Sequence, residues 1–275
     1  MDTSDLAKRM KDYEAVSKSK LMKRCPVIVR IDGKAHHTFT RRFKRPYDEI
    51  YLKSMQETAK FLCGNVQGCV LSYQQSDEIS LILVDYETLN ISPYFDYEIQ
   101  KLCSIIASMA TMTFNRCFSE NVNDHYFELR ESGMRTDEAE EQYDIYRNAI
   151  EKGALFDCRV FNIPKEDVTN NIYWRQIDAI RNSRQMLGQA YFTQRELQRK
   201  SCSQIQEMLK TQKGIDWREM PIEFQRGSCC IKEYYLQKQE DDNSIQRSRW
   251  IIDKEIPIFK GDGREYIEKL VLIGE

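Results

Sequence analysis

Two short stretches of the sequence place a carboxylate at the end of an apolar run. The first is "VIVRIDG", Val27 to Gly33, in which β-branched residues lead into Asp32. The second is "CVLSYQQSDEISLILV", in which two apolar runs flank a polar tip that contains Asp77. Short runs of this composition are typical of β-strands. If the two strands are neighbours, Asp32 and Asp77 meet at one edge of a sheet.

Two carboxylates at a sheet edge have the outline of a magnesium site. Mg²⁺ prefers oxygen ligands and keeps waters and substrate phosphates in its shell, so Asp32, Asp77 and one backbone carbonyl would suffice. Gly33 can supply that carbonyl, because a residue without Cβ lets a ligand approach the backbone closely. Ordinary turn chemistry is the alternative, since Asp-Gly and Ser-Asp are common at turns. The spacing alone leaves both interpretations open.

The elements that must position these residues can be predicted from the pattern around them. A helix is expected after Pro46-Tyr47-Asp48, a hairpin around residues 74–77, a second helix over residues 95–117, and a fourth strand at "LFDCRVFNI". This βαββαβ order predicts an α+β fold with a palm-like, ferredoxin-like split antiparallel sheet and two helices on one face. We expect a catalytic domain over residues 1–163 and a helical and β-hairpin region over residues 164–275.

The second region has its own local signals. The stretch "NNIYWRQIDAIRNSRQMLGQAYF" predicts an Asn-capped helix. Two shorter helices are indicated by capping boxes, Thr193 with Glu196 and Ser203 with Gln206. A terminal hairpin is expected to turn at Asp241-Asp242-Asn243.

Charge is distributed unevenly although the whole chain is nearly neutral. The sequence has 41 Lys and Arg against 43 Asp and Glu, so its formal charge of −2 does not indicate a nucleic-acid partner. Residues 118–152 carry ten acidic and four basic side chains, which predicts a solvated acidic helical insertion at about 118–155. Residues 159–232 carry thirteen basic and eight acidic side chains. The second half is therefore the better candidate for a polyanion surface.

Cysteine usage and hydropathy bear on the compartment. Nine cysteines without a CxxC pair favour a reducing, cytoplasmic setting. The N-terminal residues lack the apolar core of a signal peptide, and no run approaches the roughly 20 apolar residues of a membrane span. We therefore expect no association with membranes.

Six stretches, taken in order, resemble the motifs of one enzyme family. "RIDGKAHHTF" is similar to R-I-D-G-R-x-F-H-x-F, "FKRPYDE" to F-x-K-P-x-D, and "YQQSDEIS" to Y-G-Q-S-D-E-x-S. "FDCRVFNIP", "YWRQIDA" and Arg226-Gly227 follow in the same order. The combination resembles the tRNA-His guanylyltransferase family, including its guanylyltransferase-like members that polymerise in the 3′-to-5′ direction. The matches extend from about Arg30 to Gly227.

The resemblance implies a nucleotidyltransferase that acts on the 5′ end of tRNA, at the acceptor stem. Asp32, the Gly33 carbonyl and Asp77 would bind two Mg²⁺ ions, with Glu78 as a supporting catalytic residue. ATP or GTP would activate a 5′-monophosphate, and the 3′-hydroxyl of an incoming nucleoside triphosphate would then attack. A homotetramer is also implied.

The other implied contacts fall into two groups. Contacts with the nucleotide are expected from Arg30, Lys34, His37, Lys44, Arg45, Asp48, Ser76 and Asn182. Contacts with tRNA are expected from Lys101, Arg159, Arg175, Arg181, Arg184 and Arg226. A solvated basic loop is the alternative for residues 41–45, a structural histidine for His37, and a salt-bridged solvent face for the arginines spaced around Asp178.

One departure from the family pattern bears on the reaction. Eukaryotic members continue the W-R-Q motif with H-I-N-N, whereas this chain has "IRNS", Ile180 to Ser183, and retains only Asn182. This favours template-directed repair of 5′-truncated tRNA over dedicated addition of guanosine to histidine tRNA. A palm-type nucleotide cyclase and an inactive RNA-binding module are further alternatives.

Overall fold

The structure is a computed structural model and describes residues 4–238 and 244–274. A single antiparallel sheet of six strands organises these residues. The strands are β1 (Val27–Gly33), β2 (Cys69–Gln75), β3 (Glu78–Leu83), β4 (Phe156–Asn162), β5 (Ser228–Lys238) and β6 (Ser244–Asp253). Their order in the sheet is β4-β1-β3-β2-β5-β6. The first four strands have the order of a split βαββαβ sheet, which confirms the predicted palm-like fold.

Ten helices are described along the same residues. They are α1 (Asp5–Ala15), α2 (His36–Phe39), α3 (Glu49–Asn65), α4 (Ile99–Glu131), α5 (Thr136–Lys152), α6 (Lys165–Tyr191), α7 (Gln194–Leu197), α8 (Cys202–Met208), α9 (Ile222–Arg226) and α10 (Glu265–Val271). No described helix is long and apolar enough to cross a membrane.

Helices α3 and α4 cover one face of the sheet, as the βαββαβ order predicts. Val29 and Ile31 of β1 point to this face, where they pack with Met55 of α3 and with Ile106 and Phe114 of α4. All five side chains are fully buried. Alternation along the strand therefore directs every second residue into this core.

The opposite face is also covered, which the sequence analysis did not predict. Ile28 of β1 and Ile82 of β3 point there and pack with Ile172 of α6 and with Ile256 and Phe259 near the C-terminus. Leu71 and Tyr73 of β2 belong to the same cluster, so the sheet has apolar residues on both faces and needs cover on both. Helix α6 and the C-terminal segment provide it.

The terminal hairpin lengthens the same sheet rather than forming a separate layer. β5 pairs with β2, Ser72 opposite Cys230, and β6 pairs with β5. The predicted turn at Asp241-Asp242-Asn243 lies outside the described residues. The sheet thus takes strands from both regions predicted above, and the division at residue 163 stays a prediction.

Several predicted boundaries differ from the structure. Helix α6 begins at Lys165 after Pro164, ahead of the predicted asparagine cap, because proline is preorganised for a helix start. The capping box of Thr193 and Glu196 is confirmed. The second prediction was wrong. The capping box consists of Ser201 and Gln204, because α8 starts two residues earlier than predicted.

The acidic stretch is helical, and one side of it is part of the core. It comprises the C-terminal half of α4 and all of α5. Phe118 and Val122 of α4 and Tyr146 and Ala149 of α5 are buried in the cluster beneath the sheet. The acidic side chains occupy the remaining, solvated side, and the buried residues attach this segment to the palm.

Candidate active site

The two carboxylates predicted to meet belong to β1 and to the turn that leads into β3, its neighbour in the sheet. β1 pairs with β3 so that Asp32 is opposite Glu78, and the Gly33 N–H donates to the Asp77 carbonyl at 3.1 Å. Asp77 occupies the tight β2–β3 turn beside Ser76, whose φ of 49° is left-handed. Such a φ is uncommon for a residue with a side chain and is often found at functional sites.

The electrostatics of this edge favour a bound cation. Burial raises the pKa of Asp77, and the negative charge of Asp32 adds to the rise. Burial also raises the pKa of the Tyr51 phenol, with further contributions from Asp77 and Asp32. A positive ion at this edge would stabilise the charged form of Asp77.

The donor set fits Mg²⁺ rather than a soft metal. Among residues 4–238 and 244–274, no three His, Cys, Asp or Glu side chains converge in the manner of a closed metal centre. Two aspartates and a backbone carbonyl leave the remaining positions to water and substrate phosphates, which is the usual environment of Mg²⁺ in nucleotide enzymes.

Glu78 does not face the same space as Asp77. It is buried, and Arg175 of α6 donates to it twice, from Nε to Oε1 at 2.7 Å and from Nη2 to Oε2 at 2.8 Å. Arg30 Nη2 also lies 3.1 Å from Oε2 of Glu78, and 3.6 Å from Oδ2 of Asp32. A carboxylate neutralised by two guanidinium groups has little capacity left for a metal ion.

This ion-pair cluster bears on three predicted roles. Arg175 and Arg30 hold Glu78 in place on the sheet surface next to the carboxylates, and its supporting role in catalysis stays a prediction. Arg30 spans Glu78 and Asp32, and its contact with the nucleotide also stays a prediction. Arg175 is 7% exposed and is held by Glu78 and Asp178, so a tRNA phosphate cannot reach it.

His37 was the histidine predicted to contact the nucleotide, and no role was predicted for His36. The His36 ring lies directly on Gly33, where a Cβ would overlap it. Its Nδ1 is 2.7 Å from the Tyr51 hydroxyl, and its ring packs against Phe114 and Phe156. Burial lowers its pKa to about 4, so the ring is neutral near pH 7. Gly33 therefore needs to be glycine for packing as well as for access to its carbonyl.

A pocket of about 330 Å³ opens beside Asp77. Seven residues of the predicted site line it: His37, Lys44, Arg45, Asp48, Ser76, Asp77 and Asn182. They come from α2, the loop before α3, the β2–β3 turn and α6. Asp32 lies outside this lining, on the sheet surface next to it.

Asp48 holds the basic loop in place. Its buried carboxylate accepts from the N–H of Tyr51 at 3.0 Å and of Lys44 at 3.2 Å, and from the Tyr146 hydroxyl at 2.8 Å. The side chains of Lys44 and Arg45 stay exposed, without a carboxylate partner among the described residues. The loop is thus fixed by its backbone while its cations remain available for an anion.

Two aromatic residues of the pocket were missed. The rings of Tyr47 and Phe224 lie 4.6 Å apart and form an apolar part of the wall. Tyr47 lies within "FKRPYDE" and Phe224 lies two residues before Arg226-Gly227, so both belong to or adjoin matched motifs. Only the folded chain brings the two motifs together.

The remaining predicted contacts lie outside the pocket. Lys34 is exposed, and Arg159 is exposed and 3.4 Å from Asp157. Lys101 pairs with Glu98 near the start of α4, thirteen residues or about 20 Å along that helix from Phe114. Their predicted contacts with nucleotide or tRNA stay predictions.

The other arginines of the second region differ in the partners that their guanidinium groups contact. Arg181 is exposed and pairs with Asp178. The Arg184 guanidinium lies 4.3 Å from the centroid of the Trp217 ring, and the Nε of Arg226 donates to the Ile256 carbonyl at 2.9 Å. The predicted row of three guanidinium groups along one phosphate backbone is not formed, because Arg175 is buried and paired with Glu78. The contacts of Arg181, Arg184 and Arg226 with tRNA stay predictions.

Comparison with known proteins gives a consistent picture. A family model described as tRNAHis guanylyltransferase matches residues 7–164. A bacterial tRNA(His) guanylyltransferase-like protein solved in complex with ATP has a TM-score of 0.79 and 36% identity, covering 97% of this chain and 99% of that one. A structure of a bacterial protein of this kind in complex with GTP has a TM-score of 0.75 and 34% identity, covering 98% and 100%.

A curated relative adds a eukaryotic example. The tRNA(His) guanylyltransferase of Saccharomyces cerevisiae is 25% identical over 227 residues, which cover 78% of this chain and 85% of the yeast protein. The family model spans more than half of the chain, and the similarity to the bacterial protein extends over nearly all of it. The chain therefore belongs to the tRNAHis guanylyltransferase family.

Proposed function

We propose that this nucleotidyltransferase adds nucleotides to the 5′ end of truncated tRNA in the 3′-to-5′ direction and selects each one by pairing with the opposite strand. Its family acts in tRNA 5′ guanylyl transfer, and similar bacterial proteins bind ATP and GTP. The proposal concerns which 5′ addition this chain performs.

The observation that carries the proposal is how α6 presents the "IRNS" residues. Ile180 packs into a third apolar cluster, and Arg181 is paired with Asp178. The Ser183 hydroxyl donates to the Gln225 carbonyl at 2.9 Å and accepts from Trp217 Nε1 at 3.1 Å. Asn182 is then the member of this motif with a polar group left for the pocket. A single amide offers few hydrogen bonds for recognising a base, which supports selection by the template strand.

The pocket residues suit the two chemical steps. In the first, the α-phosphate of ATP or GTP joins the tRNA 5′-monophosphate and pyrophosphate leaves. In the second, the 3′-hydroxyl oxygen of the incoming nucleotide bonds to the former 5′-phosphorus and the activating nucleoside monophosphate leaves. Lys44, Arg45 and Ser76 would hold a triphosphate, and Tyr47 with Phe224 would pack against a base.

Asp32 and Asp77, with the Gly33 carbonyl, would hold two Mg²⁺ ions. Bound there, Mg²⁺ would supply activation of the attacking oxygen and neutralisation of the leaving phosphates. Phosphoryl transfer depends mainly on positioning and charge stabilisation, so the chain's own task is to keep these oxygens fixed. The His36 ring against Gly33 and the Arg30–Glu78 pair beside Asp32 contribute that rigidity.

The experiment that tests the proposal uses two 5′-truncated tRNAs that differ only in the template nucleotide, C or A, with each nucleoside triphosphate supplied singly. We expect incorporation of G opposite C and of U opposite A. Incorporation of G opposite both would refute template selection and favour a dedicated histidine-tRNA guanylyltransferase.

Two controls address the other classes of protein. Incubation with ATP or GTP alone should give no cyclic nucleotide, and its appearance would favour a cyclase. Asp77→Asn should retain tRNA binding and lose 5′ addition, whereas unchanged addition would exclude the proposed role of Asp77. A cytoplasmic location and a homotetramer stay predictions.

A further inference from the structure

A second cavity, of about 780 Å³, lies next to the nucleotide pocket. It is a partly open recess lined by the C-terminal half of α6, by α7, by the residues that lead into α8 and by Ile205 of α8. Arg45 lines both cavities. A ligand in the second cavity would therefore be adjacent to one in the first.

The charge of this cavity is entirely positive. Arg45, Arg195 and Lys200 line it, and no Asp or Glu among the described residues does. None of the three cations has a carboxylate partner within the described part of the chain, and all three side chains are exposed. A recess lined by charge of one sign has a positive local potential, so these three cations favour an anionic ligand.

The remaining polar lining consists of amides. Gln185 and Gln189 project from α6, and Gln194 and Gln198 come from α7 and the residue after it. A glutamine amide both donates and accepts, so it can pair with the edge of an unpaired nucleobase. Proteins recognise RNA sequence mainly in single-stranded segments, whose base edges are accessible.

The cavity is small. A volume of about 780 Å³ is in the range of a small-molecule site. An unpaired strand of a few nucleotides fits, with its phosphates near the cations and its bases near the amides. The cavity therefore suits a short single-stranded RNA segment.

We propose that this second cavity binds the unpaired 3′ end of the tRNA whose 5′ end is extended in the first pocket. The inference depends on the proposed function. In a tRNA, the 5′ end and the unpaired 3′ segment leave the same terminal base pair, so a 5′ end in the first pocket brings the 3′ segment to the adjacent recess. The 3′ segment would then hold the acceptor end in register with the reacting nucleotide.

The test compares two 5′-truncated tRNAs, one complete at its 3′ end and one lacking the unpaired 3′ nucleotides. Fluorescence anisotropy gives their affinities, independently of catalysis. The wild type should bind the complete tRNA about tenfold more tightly, the effect of roughly one charge-assisted contact. The double variant Arg195→Ala, Lys200→Ala should bind both tRNAs with the affinity that the wild type has for the shortened one.

A matched control removes the same residue types elsewhere. Arg147→Ala with Lys152→Ala deletes one arginine and one lysine from α5, which packs on α4 beneath the other face of the sheet. This variant should keep the tenfold preference. Circular dichroism of each variant shows whether its fold is intact.

Three outcomes overturn the cavity assignment. The first is equal affinity of the wild type for both tRNAs. The second is a double variant that weakens binding of both tRNAs by the same factor, which would indicate a general phosphate contact. The third is a double variant that raises the KM for the nucleoside triphosphate instead, which would indicate a second nucleotide site. Absence of 5′ addition by the wild type would overturn the proposed function, while the affinity comparison would still decide the role of the cavity.

Discussion

Replacing Arg175 with glutamine should destabilise the protein and leave the tRNA affinity of the folded protein unchanged. Arg175 donates two hydrogen bonds to the Glu78 carboxylate, at 2.7 and 2.8 Å, and both side chains are buried. Loss of one partner of a buried ion pair costs about 3–5 kcal/mol, because the other charge is left uncompensated. Arg30, 3.1 Å from Glu78, retains part of the compensation, so we expect about 3 kcal/mol.

Urea unfolding followed by circular dichroism measures this cost. For an m-value of about 3 kcal/mol per M, the midpoint should fall by roughly 1 M. Adding Glu78→Gln to the Arg175→Gln variant should recover much of the loss, because it removes the uncompensated charge.

Arg181 provides the matched control on the same helix. It is exposed and its pair with Asp178 is solvated, so Arg181→Gln should change stability by less than about 1 kcal/mol. If Arg181 contacts tRNA, this variant should lower tRNA affinity and increase KM. If Arg175→Gln has the same urea midpoint as the wild type, or loses tRNA affinity without losing stability, the assignment of Arg175 to the folded core is refuted.

Three other predictions concern the site. Asp77→Asn should abolish 5′ addition, measured with labelled tRNA, and detectable turnover near the wild-type rate would contradict the proposed Mg²⁺ site. Burial lowers the His36 pKa to about 4, from about 6.5 in the unfolded chain. The neutral ring therefore contributes its full stability above pH 6.5, and about 3 kcal/mol is lost as the pH falls towards 4. The urea midpoint of His36→Phe should fall less steeply over this pH range than that of the wild type, and parallel pH curves would disprove the effect. Gly33→Ala should destabilise by about 1–3 kcal/mol, since the new Cβ overlaps the His36 ring; an unchanged Tm would show that the ring can move away.

Much of the fold could be predicted from local patterns. The run Val27 to Ile31 predicts a strand because β-branched residues suit an extended backbone, and the polar tip around Asp77 predicts a hairpin between apolar runs. The capping box at Thr193 is likewise recognisable because its bonds join residues three apart. Signals of this kind depend on neighbours in sequence, which is why they survive without knowledge of the tertiary structure.

Part of the site was also determined by the sequence. Asp32 belongs to β1 and Asp77 to the turn that leads into the neighbouring β3, and the basic loop and Asn182 reach one pocket with Asp77, as their motifs predict. These residues belong to short matched stretches whose order along the chain is visible directly. The sequence therefore determined which segments form the pocket.

The tertiary structure decided which side chains within those segments are free to act. Helical spacing places Arg175 and Arg181 each within reach of Asp178, yet only the docking of α6 on the sheet pairs Arg175 with Glu78, 97 residues away. In the same way, the packing of α4 and β4 buries His36 and leaves His37 in the pocket. Burial and charge pairing are properties of contacts between distant segments. Periodicity within one segment does not predict them.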